Sequence, residues 1–205
     1  MNVIWKGHSC FTLEFEDGCV VLDPYQDGAV PGLAPLRLTA DAVLCSHEHR
    51  DHGARSLVTL TGRTPAFQFT ALPTFHDPEG GALRGPNTIH ILSAEGLRIA
   101  HMGDLGCPLT PEQTDLLQGM DAILIPVGGF YTIDALQAQN LLETLKPRVV
   151  IPMHYRSDTF GYDVIARLDD FLALRSDVVR YPGNTLVLTQ DTPPQTAVLT
   201  YEKNK

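Results

Sequence analysis

Leu44-Cys45-Ser46-His47-Glu48-His49-Arg50-Asp51-His52 places three histidines and an aspartate within six positions, directly after a short apolar run. Side chains in an extended segment alternate with a period of two, so His47 and His49 point to one side and can share a cation, with Asp51 in phase. His52, at the turn that follows, swings another imidazole toward a neighbouring ion. One short loop thus serves two sites. A solvated polar loop would leave this spacing unexplained, whereas coordination requires it.

A metal ion takes about four to six ligands, so the remaining donors must come from elsewhere in the chain. They recur in one local context. Thr74-Phe75-His76-Asp77, Ile99-Ala100-His101-Met102-Gly103-Asp104 and Val150-Ile151-Pro152-Met153-His154 each place His or Asp where an apolar run ends. Proteins with α/β folds gather functional side chains on loops at strand ends. The ligand set on this reading is His47, His49 and His76 for one ion, and Asp51, His52 and His154 for the other, with Asp104 bridging. His90 and His101 lie inside strands and read as satisfied histidines outside the set. Asp23, closing Val20-Val21-Leu22, reads as the acceptor that orients the ligand loop. Arg84, Asn87, Tyr131, Tyr155 and Arg156 are polar candidates for a pocket wall.

Outward from these segments, short β-branched runs recur: Asn2 to Lys6, Cys10 to Phe15, Cys19 to Leu22, Ala42 to Cys45, Ala66 to Thr70, Ile89 to Leu92 and Leu97 to Ala100. Each is bounded by Gly, Pro or Asp and predicts a strand. Glu16-Asp17-Gly18 predicts a hairpin turn. Thr110-Pro111-Glu112-Gln113 is a capping box with proline in the first turn, and Gly119 stops that helix. Asp134 to Lys146 predicts a second helix, with Ala135, Ala138, Leu142 and Leu145 on one face and Pro147 ending it. Tyr162 to Leu174 predicts a third, through Val164, Ile165, Leu168, Phe171 and Leu172, and Ala54 to Leu60 a weaker fourth. Pro193-Pro194 marks a turn before a last strand near Ala197 to Tyr201. The order of elements predicts a four-layer α/β/β/α sandwich, two mixed sheets packed together with helices outside.

The chain has 205 residues, 43% hydrophobic and 19% charged, which fits one globular domain over residues 1–205 with ample core. Its 24 acidic and 15 basic side chains give a formal charge of -9, which disfavours binding to nucleic acid through phosphate contacts. The start of the chain has no leader-like pattern, and no apolar run reaches the roughly 20 residues of a membrane helix, so a cytoplasmic protein without a membrane role is expected. Cys10, Cys19, Cys45 and Cys107 form no CxxC pair and read as reduced, buried thiols.

His47-Glu48-His49-Arg50-Asp51-His52 with the later His76, Asp104 and His154 resembles the metallo-β-lactamase superfamily of binuclear metal hydrolases. Gly7-His8-Ser9-Cys10-Phe11, Leu22-Asp23-Pro24, Gly103-Asp104-Leu105-Gly106 and Pro126-Val127-Gly128-Gly129 resemble signatures of one branch. That branch holds the ascorbate-6-phosphate lactonase-like and N-acyl-phosphatidylethanolamine phospholipase D-like proteins. The likeness spans residues 3 to 155. It implies the αββα metallo-β-lactamase fold, the seven ligands in the roles above, and a metal-bridging hydroxide as nucleophile. It also places His8 near the metals, as a group that supports them or transfers protons, while Asp51 would orient the hydroxide.

The expected function is hydrolysis of an ester, lactone, amide or phosphodiester bond in a small anionic substrate. Two divalent cations are expected, zinc first, with manganese or iron(II) as alternatives. A di-iron or mono-iron redox protein on the same fold, or a non-catalytic metal-binding regulator, are the competing expectations. The sequence fixes neither the substrate nor the oligomeric state.

Overall fold

Residues 1–203 are described by a computed structural model. The chain begins with β1 (Asn2–Gly7), β2 (Cys10–Phe15) and β3 (Gly18–Leu22), and the Asp17-Gly18 turn sets Phe15 opposite Gly18. Then come β4 (Leu38–Ala40), β5 (Ala42–Leu44), β6 (Val58–Leu60), β7 (Gln68–Phe75), β8 (Pro86–Ala94), β9 (Leu97–His101) and α1 (Pro111–Leu117). The remainder runs β10 (Ala122–Pro126), α2 (Ala135–Leu145), β11 (Val149–Met153), α3 (Leu168–Leu172), β12 (Val178–Arg180), β13 (Thr185–Val187) and β14 (Gln195–Val198).

Two mixed sheets result, as the sequence predicts. One has the order β13-β1-β2-β3-β5, the other β12-β14-β11-β10-β9-β8-β7. The central strands β10 and β11 pair in parallel, and every residue of both is buried. Their unbroken apolar sequences, Ala122-Ile123-Leu124-Ile125 and Val149-Val150-Ile151, suit strands covered on both faces. One apolar cluster joins Val3, Phe11 and Leu22 of the first sheet to Ile89, Ile99 and Leu124 of the second, and continues to Leu142, Leu145 and Phe171 on the helices. The other face of the first sheet carries a separate cluster of Val21, Tyr25, Val30, Leu36 and Val58. That side is covered by the segment after β3 and the parallel β4–β6 pair, with no α-helical residue in the cluster.

The expected capping box forms, and α2 carries a second one. Thr110 and Gln113 exchange side-chain and backbone hydrogen bonds at the start of α1, and Asp134 and Gln137 do so for α2. Lys146 ends α2 in the left-handed conformation, its N–H on the Leu142 carbonyl, and Pro147 follows.

Four local expectations are corrected. The helix expected over Tyr162 to Leu174 is reduced to the five residues of α3, because Ala166 N–H donates to Gly128 O and Arg156 N–H to Ala166 O. The approach to α3 therefore follows the site loops instead of coiling. Ala54 to Leu60 is a single 3-10 turn, Arg55–Leu57, running straight into β6. The strand expected at Ala66 to Thr70 is β7, shifted later and extended through Pro73, a residue tolerated because β7 is a sheet edge pairing only with β8. The last strand covers Gln195–Val198 and stops before Tyr201. All four cysteines are free thiols; Cys10 and Cys45 are buried as expected, whereas Cys19 and Cys107 are half-buried. Among the described residues no helix is long and apolar enough to cross a membrane.

Replacing Asp134 with alanine removes the acceptor for Gln137 N–H. Urea unfolding should then show a loss of about 1 kcal/mol with the slope unchanged. An unaltered midpoint would mean the cap contributes nothing to α2.

Candidate metal centre

Strand direction brings the singled-out residues together. β1, β3 and β5 run the same way, because β2 is antiparallel to β1 and β3 while β3 is parallel to β5. Their C-terminal ends deliver His8, Asp23 and the loop from Cys45 to His52. In the second sheet β7, β9, β10 and β11 are likewise co-directional, and their ends deliver His76, Asp104, the Gly128 loop and His154.

The connections at this edge are strained. His8, Asp23 and His154 adopt φ of 52°, 45° and 54°, the left-handed region that non-glycine residues enter at a cost of about 1–3 kcal/mol each. Gly103, at φ 56°, leaves no room for a Cβ against Asn87 Oδ1 and Ser46. At Gly128 a Cβ would collide with the His154 carbonyl oxygen. Both glycines are close-approach positions.

Asp104 stands at the centre, 1% exposed. Its Oδ2 lies 3.0 Å from His76 Nε2, 3.1 Å from His52 Nε2, 3.3 Å from His154 Nε2 and 3.9 Å from His47 Nε2. Among the described residues three groups of donor atoms are close enough to hold a metal ion: His47, His49 and His76; His47, His52 and Asp104; and His8, Asp51, His52 and His154. All seven sequence-named ligands therefore converge. The difference from expectation is His8, which joins a donor group directly, its Nε2 3.3 Å from Asp51 Oδ2. His49 is the exposed member, with its ring 4.5 Å from that of His47. His90 and His101 stay outside these groups, on the carbonyl oxygens of Cys45 and Ser9.

Hydrogen bonds behind the imidazoles fix which nitrogen faces the centre. Asp23, fully buried, accepts from Ser46 N–H and Ser46 Oγ–H at 2.6 Å each and from His52 Nδ1–H at 2.8 Å. Because Ser46 Oγ gives its proton to Asp23, it accepts from His47 Nδ1–H at 2.9 Å. His76 Nδ1–H donates to the Tyr131 carbonyl at 2.9 Å. In all three rings it is therefore Nε2, the nitrogen not engaged behind the ring, that faces the centre and is the one a cation would meet. Asn87 serves Asp104 similarly, accepting its N–H on Oδ1 while Nδ2 donates to Thr74 and Met102. His47 Nε2, His52 Nε2, His154 Nε2 and Asp104 Oδ1 are buried without a hydrogen-bond partner. Such orphaned atoms are rare in folded proteins and fit cation ligands.

The electrostatics agree. Burial, with the neighbouring His154, pushes His8 down to about 4, and burial with the neighbouring His52 pushes His47 down to about 3. Both are neutral at pH 7, the ligating form. Burial alone would also lower His52, but Asp104, Asp23 and Asp51 overcome it and hold its pKa well above the ordinary value. Burial likewise works against the charge of Asp104, yet His154 and His52 keep it well below the usual carboxylate range. A cation taking the Nε2 lone pair of His52 would displace the proton that these carboxylates hold there.

Of the pocket-wall candidates, Arg84 and Tyr131 line the 320 Å³ cavity over the donor groups. Tyr155 and Arg156 instead line a separate hollow with Trp5 and Tyr201, and Asn87 is buried beneath Asp104. Leu83 and Tyr162 also line the site, and sequence patterning misses both. Tyr162 had the pattern of a helix start, whereas its hydroxyl lies 2.9 Å from Ala29 O and 3.3 Å from Asp51 Oδ2.

Residues 2–154 match the family model of the beta-lactamase superfamily domain. A metal-dependent hydrolase from Carboxydothermus hydrogenoformans is 29% identical over 92% of this chain and 100% of its own. One from Archaeoglobus fulgidus is 28% identical over 77% of this chain and 84% of its own. Among solved structures, a Thermotoga maritima protein assigned to the Zn-dependent hydrolases of the metallo-beta-lactamase superfamily superposes with a TM-score of 0.79. It is 31% identical and covers 98% of this chain and 99% of its own.

Asp23→Asn keeps every donor of the three groups but weakens the acceptor behind His52 and Ser46. Zinc affinity, measured by competition with a chromophoric chelator, should fall about 10- to 100-fold. Wild-type affinity in this variant would show that Asp23 does not orient the imidazoles.

Proposed function

This chain belongs to the metallo-β-lactamase superfamily, and on that premise we propose that it is a two-cation hydrolase of an ester, lactone, amide or phosphodiester bond in an anionic substrate. The observation that supports this most is the convergence of buried, partnerless imidazole nitrogens on the Asp104 carboxylate. His47, His49 and His76 would hold one cation and Asp51, His52 and His154 the other, with Asp104 between them. Imidazole and carboxylate donors suit zinc, manganese and iron(II), and zinc is the first choice for a set this rich in histidine. When bound, such cations supply Lewis acidity toward a carbonyl or phosphoryl oxygen and bring the pKa of water from 15.7 down to about 7.

The side chains of the chain do the positioning. Asp51, 17% exposed at its side chain, borders the cavity over the centre, where its carboxylate can accept a hydrogen bond from an attacking water and orient it. His8 is held by Trp5 Nε1–H and His154 N–H, both donating to its carbonyl, and presents Nε2–H to Asp51. His8 thus fixes the orientation of the Asp51 carboxylate from a buried position. The Tyr162 hydroxyl lies 3.3 Å from the same oxygen. Two divalent cations contribute four positive charges against the two negative charges of Asp51 and Asp104, so the centre retains positive charge that attracts an anion.

Metal analysis of the purified protein should give about two divalent cations per chain. His49→Ala and Asp51→Ala should each lower hydrolysis of the best substrate in a screen of lactones, thioesters and phosphodiesters by about a hundredfold or more. No bound metal, and no hydrolysis after adding zinc or manganese, would remove the proposal. An iron-specific absorption band with redox turnover would favour the iron alternative. Zinc added to chelator-treated protein at a hundred times its Kd should raise unfolding free energy by about 2.7 kcal/mol. An unchanged unfolding midpoint would contradict specific binding to the folded chain.

A further inference from the structure

Two cavities meet at one wall. The 320 Å³ cavity covers the metal centre, and a second of about 590 Å³ opens between the loop after β9 and the face of α2. Leu109, Phe130, Ile133 and Leu141 give the second an apolar lining. His76, Arg84 and Tyr131 line both. Both volumes fall within the roughly 300–1,000 Å³ of small-molecule pockets, and the second cavity adds more space than the metal cavity itself provides.

Arg84 sits at the junction, half-buried, with its guanidinium carbon 5.7 Å from the centre of the Tyr131 ring. The other arginine ion pairs among the described residues involve Arg37, Arg55, Arg63, Arg148, Arg167 and Arg175, and none involves Arg84. Its backbone is built into place. The buried Asp77 carboxylate accepts N–H bonds from Glu79, Gly81, Leu83 and Arg84 at 2.8–3.1 Å, fixing the loop between β7 and β8. A guanidinium held over an aromatic face, without a carboxylate partner, is a planar fork suited to an oxyanion.

We propose that the substrate is an amphiphilic oxyanion: its reacting bond lies over the metal centre, its carboxylate or phosphate on Arg84, and its apolar part in the cavity against α2. This rests on the hydrolase reading for the bond that is cleaved, while the recognition is a property of Arg84 and the cavity. In the metal-free chain its length dependence comes from apolar burial and its charge dependence from Arg84, so the two separate experimentally.

Isothermal titration with butyrate, octanoate, octyl phosphate and neutral 1-octanol, with and without zinc, tests the recognition. Octanoate should bind about a hundredfold tighter than butyrate, and more tightly than octanol. The phosphate arm identifies the preferred head group. Arg84→Gln should weaken both anions about tenfold, leave octanol unchanged and be partly rescued by Arg84→Lys. Leu141→Trp, which fills the cavity, should abolish the advantage of octanoate over butyrate. Equal affinity for octanoate and octanol together with an unaffected Arg84→Gln variant would overturn the head-group site. Equal affinity for butyrate and octanoate in the wild type would overturn the cavity assignment. If the binding pattern holds but zinc-loaded protein hydrolyses none of the lactones, thioesters and phosphodiesters of the screen, the recognition stands and the hydrolase reading fails.

Discussion

A carboxylate buried among imidazoles is the constraint on which this edge of the molecule depends. Asp104 Oδ1 and the Nε2 atoms of His47, His52 and His154 are out of water and without hydrogen-bond partners. Each unsatisfied buried polar atom costs about 1–3 kcal/mol, and a handful would consume much of the stability of an ordinary domain. Evolution tolerates such a cluster where something repays it. Coordination of divalent cations does so, since one ion satisfies several lone pairs at once and neutralises the carboxylates.

The rest of the fold serves that edge. The core is an extended apolar cluster running from the first sheet through the second to the helices, and it makes the strand ends rigid platforms. Because the contributing strands of each sheet are co-directional, their connections cluster at one side. The left-handed residues His8, Asp23 and His154 show that the chain accepts backbone strain there to turn side chains inward. Asp23 links the two tasks. It ends a core strand, yet its carboxylate sets both the Ser46 backbone and the His52 tautomer.

Much of this was legible in the sequence because it is local. Apolar, β-branched runs mark β1, β2, β3, β5, β8 and β9, a capping box marks α1, an apolar face ending at Pro147 marks α2, and the close spacing from His47 to His52 singles out candidate ligands. Asp23 is placed behind the ligand loop as an acid ending an apolar run, against the alternative of a turn-forming Asp before Pro24, and its bonds to Ser46 and His52 decide between the two. What was hidden depends on contacts distant in sequence. The 162–167 segment has helical periodicity, but its backbone hydrogen bonds go to Gly128 and Arg156, and no local pattern records that choice. Tyr162 is consequently invisible as a site residue, since its approach to Asp51 spans 111 positions. His8 enters a donor group only because β1 lies parallel to β3 and β5 across the sheet. The larger cavity is likewise a product of how α2 packs beside the loop carrying Tyr131.

The most direct measurement is anomalous diffraction from a zinc-soaked crystal, recorded at the zinc absorption edge. Two peaks on either side of the Asp104 carboxylate, about 3.5–4 Å apart, are predicted. One would lie among His47, His49 and His76, and the other among Asp51, His52 and His154. A peak at surface carboxylates alone, with the region around Asp104 featureless, would contradict the two-cation centre.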